Sequence, residues 1–261
     1  MLIERIVSQN ASLWTTEQAF YIILVMTFYA VGIGPGNPEL LTLEAVRTIE
    51  KCPVIFCPKT KSGATVALSI IKEASINLDR KTIIECEMPM NRDSALLAQN
   101  YEKIALQCAQ YLPKGLDTAF ITLGDVSFYS TAERVSKIVA EKGFDVVWCA
   151  GVTSISASAA RIAIPLAERD EEITIIPADS AFKNGTLKEA LARKGTKVLM
   201  KLSRSYQDVI KILFETGLSK TSTLFQNCGL EGERILSLGN YTAESKELFE
   251  SESYFSLVIV K

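Results

Sequence analysis

The chain contains no histidine. That absence removes the imidazole base on which Ser-His-Asp and Cys-His catalysis rest. It has six cysteines, Cys52, Cys57, Cys86, Cys108, Cys149 and Cys228, and no Cys-x-x-Cys pair among them. Without histidine or paired cysteines, no zinc site and no other metal site is expected. Most of the cysteines sit in apolar runs and read as reduced core thiols of a cytoplasmic protein. Charge of one sign is also missing: 28 Lys and Arg against 30 Asp and Glu give a net charge of −2. Neither a nucleic acid nor a membrane surface is therefore an expected partner. The apolar run at residues 20–26 is far too short to cross a bilayer, and no Ala-x-Ala-like signal-peptide site accompanies it. Any proton transfer falls to carboxylate, lysine, tyrosine, cysteine or water, so the reaction should need little acid–base help.

What is present is the composition of a globular enzyme. The 261 residues are 48% apolar and 22% charged, enough for one large core or two modest ones. The rest is organised around residues 28–50. An apolar run at 28–31 breaks into Gly32-Ile33-Gly34-Pro35-Gly36 and then into Asn37-Pro38. Asn37 reads as a helix N-cap with Pro38 at the first helical position. Leu40, Leu41, Leu43 and Val46 give that helix an apolar stripe. Glycines at such a strand-to-helix turn let backbone approach a ligand closely. They serve equally in a purely structural turn. The spacing fails the dinucleotide fingerprint, because Asn-Pro stands where x-x-Gly should follow.

Four further strands are expected at 53–57, 81–85, 118–123 and 146–149, with helices at 64–73 and 93–111. The second helix has Leu96, Leu97, Tyr101, Ile104 and Cys108 as its inward side. Strands alternating with helices predict a parallel α/β sheet. Lys59 and Lys61 lie on the loop after the second strand, where lysines are commonly just solvated. The fourth strand ends in Leu123-Gly124-Asp125, at the carboxyl edge where parallel sheets bind ligands. Asp125 either caps the following helix or faces a ligand. The Met88-Pro89-Met90 loop reads as gap-filling. The fifth strand leads to Gly151-Val152-Thr153-Ser154 and a run of small residues.

Beyond residue 156 the pattern changes. Strands are expected at 173–176, 197–201, 223–226, 233–236 and 254–260, with helices at 187–194 and 206–216 and Gly217 as a C-cap. Consecutive strands near the end predict a mostly antiparallel sheet. The organisation expected is an extension at 1–25, a parallel α/β domain at 26–155, and a mixed, mostly antiparallel α+β domain at 156–261. Met200, at the end of the 197–201 strand, reads as core on its own merits.

The quoted segments resemble one family. GIGPGNPELLT is similar to the G-x-G-P-G-D-P-x-x-L-T opening of the tetrapyrrole methylases, with Asn37 for the commoner Asp. LGDVSFYST, GVTS, ARIAIPL, VLMK and NCGLEGER follow in the family's order, from Phe28 to Lys261. Val126 stands where proline is usual. FCPKTKSG, LGDVSFYST and NCGLEGER together resemble the branch that acts on precorrin-2.

The resemblance implies a two-domain methylase fold, S-adenosylmethionine as methyl donor, S-adenosylhomocysteine as product and a homodimer. It implies methylation of precorrin-2 or cobalt-precorrin-2 at ring position 20. It assigns cofactor contacts to Pro35, Leu123, Gly124, Asp125, Phe128, Ser130, Thr131, Thr153, Ser154, Met200, Cys228 and Gly229. Asp125 also takes a positioning and electrostatic part in catalysis. A substrate rich in propionates and acetates gives cationic side chains a purpose. The candidates are Lys59, Lys61, Arg134, Arg161, Lys201 and Arg204, each of which alone is an ordinary surface charge.

Displacement on an already activated sulfonium suits a chain without histidine. Alignment alone contributes roughly 7–11 kcal/mol. The alternatives are a methylase of the same fold acting on another ring position, on diphthine or on ribosomal RNA, and a cofactor-binding pseudoenzyme. Asn37 and Val126 keep the last alternative alive.

Overall fold

The computed structural model describes residues 26–59, 65–88, 94–249 and 253–261. The expected extension at 1–25, Lys61 and most of the Met88-Pro89-Met90 loop lie outside the described residues. The chain divides into two compact units. One comprises residues up to Ile33 together with Leu41–Gly151, and the other comprises Gly34–Leu40 together with Val152–Lys261.

The first unit is built on β1 (Thr27–Gly32), β2 (Val54–Lys59), β3 (Thr82–Glu87), β4 (Thr118–Thr122) and β5 (Asp145–Cys149). They form one sheet in the order β3-β2-β4-β1-β5, and every neighbouring pair is parallel. β4 is buried at every position, as expected of a central strand covered on both faces. The helices are α1 (Leu43–Lys51), α2 (Val66–Glu73), α3 (Ser94–Ala109) and α4 (Thr131–Glu141). Phe28, Phe56 and Phe120 are fully buried and pack with Ile104, Cys108, Val135 and Val139 of α3 and α4. Each such ring contributes about 1.5–3 kcal/mol relative to exposure.

Two details depart from the sequence-based expectation. The first helix does not start at Asn37-Pro38. The Asn37 side chain accepts a hydrogen bond from the Glu39 amide, and Pro38–Leu40 makes only one 3-10 turn. The α-helix begins at Leu43, with Thr42 as its cap: Thr42 Oγ1 accepts the Ala45 amide at 3.1 Å. Asn37 and Thr42 are both competent caps, and Thr42 opens the register that buries Ala45, Thr48 and Ile49. Leu43, counted in the apolar stripe, is 72% exposed. Leu96, expected inward on α3, is exposed too, because Ile104, Ala105 and Cys108 set the buried face.

The second unit contains α5 (Ser154–Arg161), β6 (Ile173–Pro177), α6 (Ala178–Lys183), α7 (Leu187–Leu191), β7 (Thr196–Met200), α8 (Tyr206–Glu215), β8 (Ser222–Gln226), β9 (Arg234–Ser237) and β10 (Ser256–Val260). Its sheet runs β6-β7-β10-β8-β9. β6 and β7 are parallel, and the other pairs are antiparallel. One core joins Leu199, Leu224 and Val258 of this sheet to Tyr206, Val209 and Leu213 of α8. A second joins Val198, Phe225, Leu257 and Ile259 to Ile155 and Ala159 of α5.

Candidate functional site

In the first unit the carboxyl ends of β4, β1 and β5 lie side by side. β1 feeds the chain toward β2 on one side of the sheet, and β4 feeds it toward β5 on the other. Such a change of direction leaves a ligand-binding crevice outside the strand ends. Glycine lets the three ends converge. A Cβ on Gly151 would stand 2.2 Å from the Gly124 carbonyl oxygen, and one on Gly32 would stand 2.8 Å from that oxygen and from the Gly151 nitrogen. Gly124 itself has φ +70°, and a Cβ there would meet nothing within 4 Å.

Asp125 locks this arrangement. Its Oδ2 accepts the Gly151 amide at 2.8 Å, and its Oδ1 accepts the Ser127 amide at 2.8 Å and the Ser127 hydroxyl. Burial alone would raise its pKa, but the bonds from Ser127 and Gly151 outweigh it and hold the carboxyl below its usual range. Asp125 does not cap the following helix. Ser130 does so, its Oγ accepting the Ala132 amide at 3.1 Å and lying 3.0 Å from Thr122 Oγ1. Thr131 is the first residue of α4, and Leu123 is half-buried. Phe128 and Tyr129 are exposed, and Tyr129 has φ +52°. Val126 is 2% exposed and packs with Ala132, Val135 and Val139.

In the second unit three segments meet. A Cβ on Gly36 would lie 2.7 Å from the Gly229 carbonyl carbon, and one on Gly229 would lie 2.6 Å from the Asn37 nitrogen. The Gly34-Pro35-Gly36 turn thus rests backbone to backbone on Cys228-Gly229. Gly229 donates its amide to Glu233 Oε1 at 3.1 Å. Arg161, at the end of α5, grips the same carboxylate with Nε at 3.1 Å and with Nη2. At the start of α5, Thr153 is the N-cap, its Oγ1 accepting the Ser156 amide at 3.2 Å, and Ser154 is the first helical residue. Cys228 is buried, and burial pushes its thiol up. Met200 is half-buried against the core that contains Ile155, Phe225 and Leu257.

The expected substrate-binding cations each have their own surroundings. Lys59 pairs with Glu85 at 3.1 Å, and Arg134 pairs with Glu133 at 3.2 Å. Lys201 lies 5.8 Å from the Tyr254 ring centre and has φ +56°, while Arg204 is exposed beside it in chain order. Reading side chains one at a time missed Glu233, although it sits in the quoted NCGLEGER segment. Gly32 and Gly151 stood within the quoted segments but not among the expected contacts. Their signal was positional, since each stands at or just beyond the end of an apolar strand. Among the described residues no cluster of acidic or cysteine side chains is arranged to hold a metal ion, and no helix is long and apolar enough to cross a membrane.

The family model for Tetrapyrrole (Corrin/Porphyrin) Methylases matches residues 27–240. The chain is 32% identical to a probable cobalt-precorrin-2 C(20)-methyltransferase from Methanocaldococcus jannaschii, over 91% of this chain and 97% of that one. It is 28% identical to the cobalt-precorrin-2 C(20)-methyltransferase of Salmonella typhimurium, over 89% and 94% of the two chains. Among solved structures, a cobalt precorrin-4 methyltransferase superposes with a TM-score of 0.65 at 16% identity, covering 90% of this chain and 94% of that one.

Proposed function

Because the chain belongs to the tetrapyrrole (corrin/porphyrin) methylases, we propose that it transfers a methyl group from S-adenosylmethionine to carbon 20 of precorrin-2, in the cobalt-bearing form named for both relatives, during cobalamin biosynthesis. The observation that carries the proposal is the 32% and 28% identity to those two relatives, which extends over about nine-tenths of this chain and nearly all of theirs.

The residues present fit a sulfonium donor. Gly124 leaves open space above a strand end, and Asp125 beside it is held in its ionised form. When bound, the donor supplies a methyl group on positively charged sulfur. In the first unit the proposed contacts are Leu123, Gly124, Asp125, Phe128, Ser130 and Thr131. Asp125 fixes the Gly124–Gly151 backbone and faces the cation electrostatically. It should not hold the cation too tightly, because charge disperses in the transition state. In the second unit they are Pro35, Thr153, Ser154, Met200, Cys228 and Gly229. Thr153 and Ser130 already hold helix ends, so their contacts to the donor come through remaining lone pairs and backbone. Lys59, Lys61, Arg134, Lys201 and Arg204 are proposed for the carboxylates of the ring.

The same reading makes the protein a cytoplasmic homodimer. All six cysteines are free and buried, as in a reducing compartment. Light scattering should give twice the 28.7 kDa chain mass. Calorimetry tests the donor site: S-adenosylhomocysteine should bind in the micromolar range, and folded protein that gives no heat would rule the donor out.

A further inference from the structure

Arg161 reads from the sequence as a ligand for substrate carboxylates. Its surroundings give it different work. Both oxygens of Glu233 are engaged by its guanidinium, in the two-point geometry that makes such pairs directional. Glu233 Oε1 accepts the Gly229 amide as well. One carboxylate therefore joins the last residue of α5 to the middle of a glycine loop.

The loop is anchored at its first residue, where the Asn227 amide bonds to the Phe255 carbonyl at 2.9 Å and the Asn227 side chain accepts the Ser253 hydroxyl. The Leu230 amide bonds to the Asn227 carbonyl at 2.8 Å, and the Glu233 amide bonds to the Leu230 carbonyl at 3.2 Å. Asn227 spans it from Nδ2 to the Gly232 carbonyl at 3.2 Å. Asn227, Gly229 and Gly232 all have positive φ. Only Glu233 ties the Gly229 amide itself among the described bonds. Gly229 is also where the Gly36-Asn37 backbone rests, with no room for a Cβ on either side.

We propose that Glu233, oriented by Arg161, is a positioning residue for the methyl donor: it sets the place of Cys228-Gly229 and, through them, of the Pro35-Gly36 turn. This rests on the donor site assigned to those residues above. It also moves Arg161 from the substrate's account to the donor's. A substrate ligand would change the KM for the tetrapyrrole, whereas a residue that holds the loop changes the affinity for the donor.

The carboxylate has two separable duties, which the variants divide. Glu233→Ala loses both the acceptor for Gly229 and the partner of Arg161. Glu233→Gln keeps an acceptor oxygen for Gly229 and loses the charge. The exchange of charges in the double variant R161E/E233R restores an ion pair but offers Gly229 no acceptor.

The test is calorimetry with S-adenosylhomocysteine on the full chain, with KM values for both substrates and hydrogen exchange at the Gly229 amide in ligand-free protein. Expected are a Kd raised about tenfold in Glu233→Ala and about threefold in Glu233→Gln and Arg161→Ala. The double variant should remain as weak as Glu233→Ala. Exchange at Gly229 should quicken in Glu233→Ala before any ligand is added. If Glu233→Ala fails to give a cooperative melt, Glu233→Gln and Arg161→Lys carry the test. Wild-type protein that binds but variants that match it within twofold would overturn this proposal alone. Arg161→Ala that raises only the KM for the tetrapyrrole would overturn it too. Folded wild-type protein that binds nothing would overturn the donor site itself.

Discussion

Asp125 accepts the amide of Gly151 at 2.8 Å, so the loop after β4 and the loop after β5 are bolted together across the end of β1. The same carboxylate closes its own loop through Ser127. Asp125→Ala leaves the Gly151 amide without that acceptor, and a lost bond to a charged group costs about 1.5–3 kcal/mol. The variant should still fold, with a lower melting temperature and weaker binding of S-adenosylhomocysteine. Calorimetry and a thermal melt check both. Unchanged affinity would remove Asp125 from the donor site.

The pH dependence of that clamp has a definite sign. The pKa of Asp125 lies below its ordinary value in the folded chain. Its stabilising effect is therefore complete above the unfolded value and is lost as pH falls through the folded one. The stability gap between wild type and Asp125→Asn should stay flat from about pH 5 to 8 and narrow below about pH 4. Denaturant titrations at a series of pH values measure it.

Gly36→Ala forces a Cβ to within 2.7 Å of the Gly229 backbone. The Cys228-Gly229 segment has to move, because what the methyl meets is main chain rather than a flexible side chain. Overpacking of this kind costs about 1–3 kcal/mol. Affinity for the methyl donor should fall about tenfold or more while the α-helical signal in circular dichroism persists. Gly115→Ala is the control. Its φ of +79° strains any side chain placed there, but the added Cβ meets nothing within 4 Å, so it should lower stability and leave donor binding alone.

The cysteines should be inert in the native protein. Burial pushes the thiols of Cys52, Cys57 and Cys86 up to about 12, and it pushes Cys108 well above the usual thiol range too. A thiol-reactive dye at pH 8 should label native protein slowly and should titrate six thiols in denaturant. Rapid native labelling of Cys228 would point to a reactive thiol there instead.

Much of the architecture was legible before any coordinates. The central strands announced themselves because β1, β2, β4 and β10 are buried on both faces and read as unbroken apolar runs. The change from parallel to mostly antiparallel pairing followed from strands that arrive in succession without intervening helices. Local competition was harder to read. Asn37 and Thr42 both satisfy the chemistry of a helix cap, and only the burial of Ala45 and Ile49 decides between them. Val126 stands where proline is usual in the family, and nothing in the sequence marks its side chain as core. Segments near the candidate site were visible as glycine-bearing strand ends. The partners of Arg161, Lys59 and Glu233 were not, since an ion pair such as Arg161 with Glu233 spans 72 positions of sequence. No periodicity records such a pair.

The most direct measurement is methyl transfer itself. Purified protein should be incubated with cobalt-precorrin-2 and S-adenosylmethionine carrying a labelled methyl group, and the product analysed for the position of the label. The account predicts one label per ring, on carbon 20, with S-adenosylhomocysteine formed in equal amount. Label on another ring carbon, or none from folded protein that binds the donor, would contradict it.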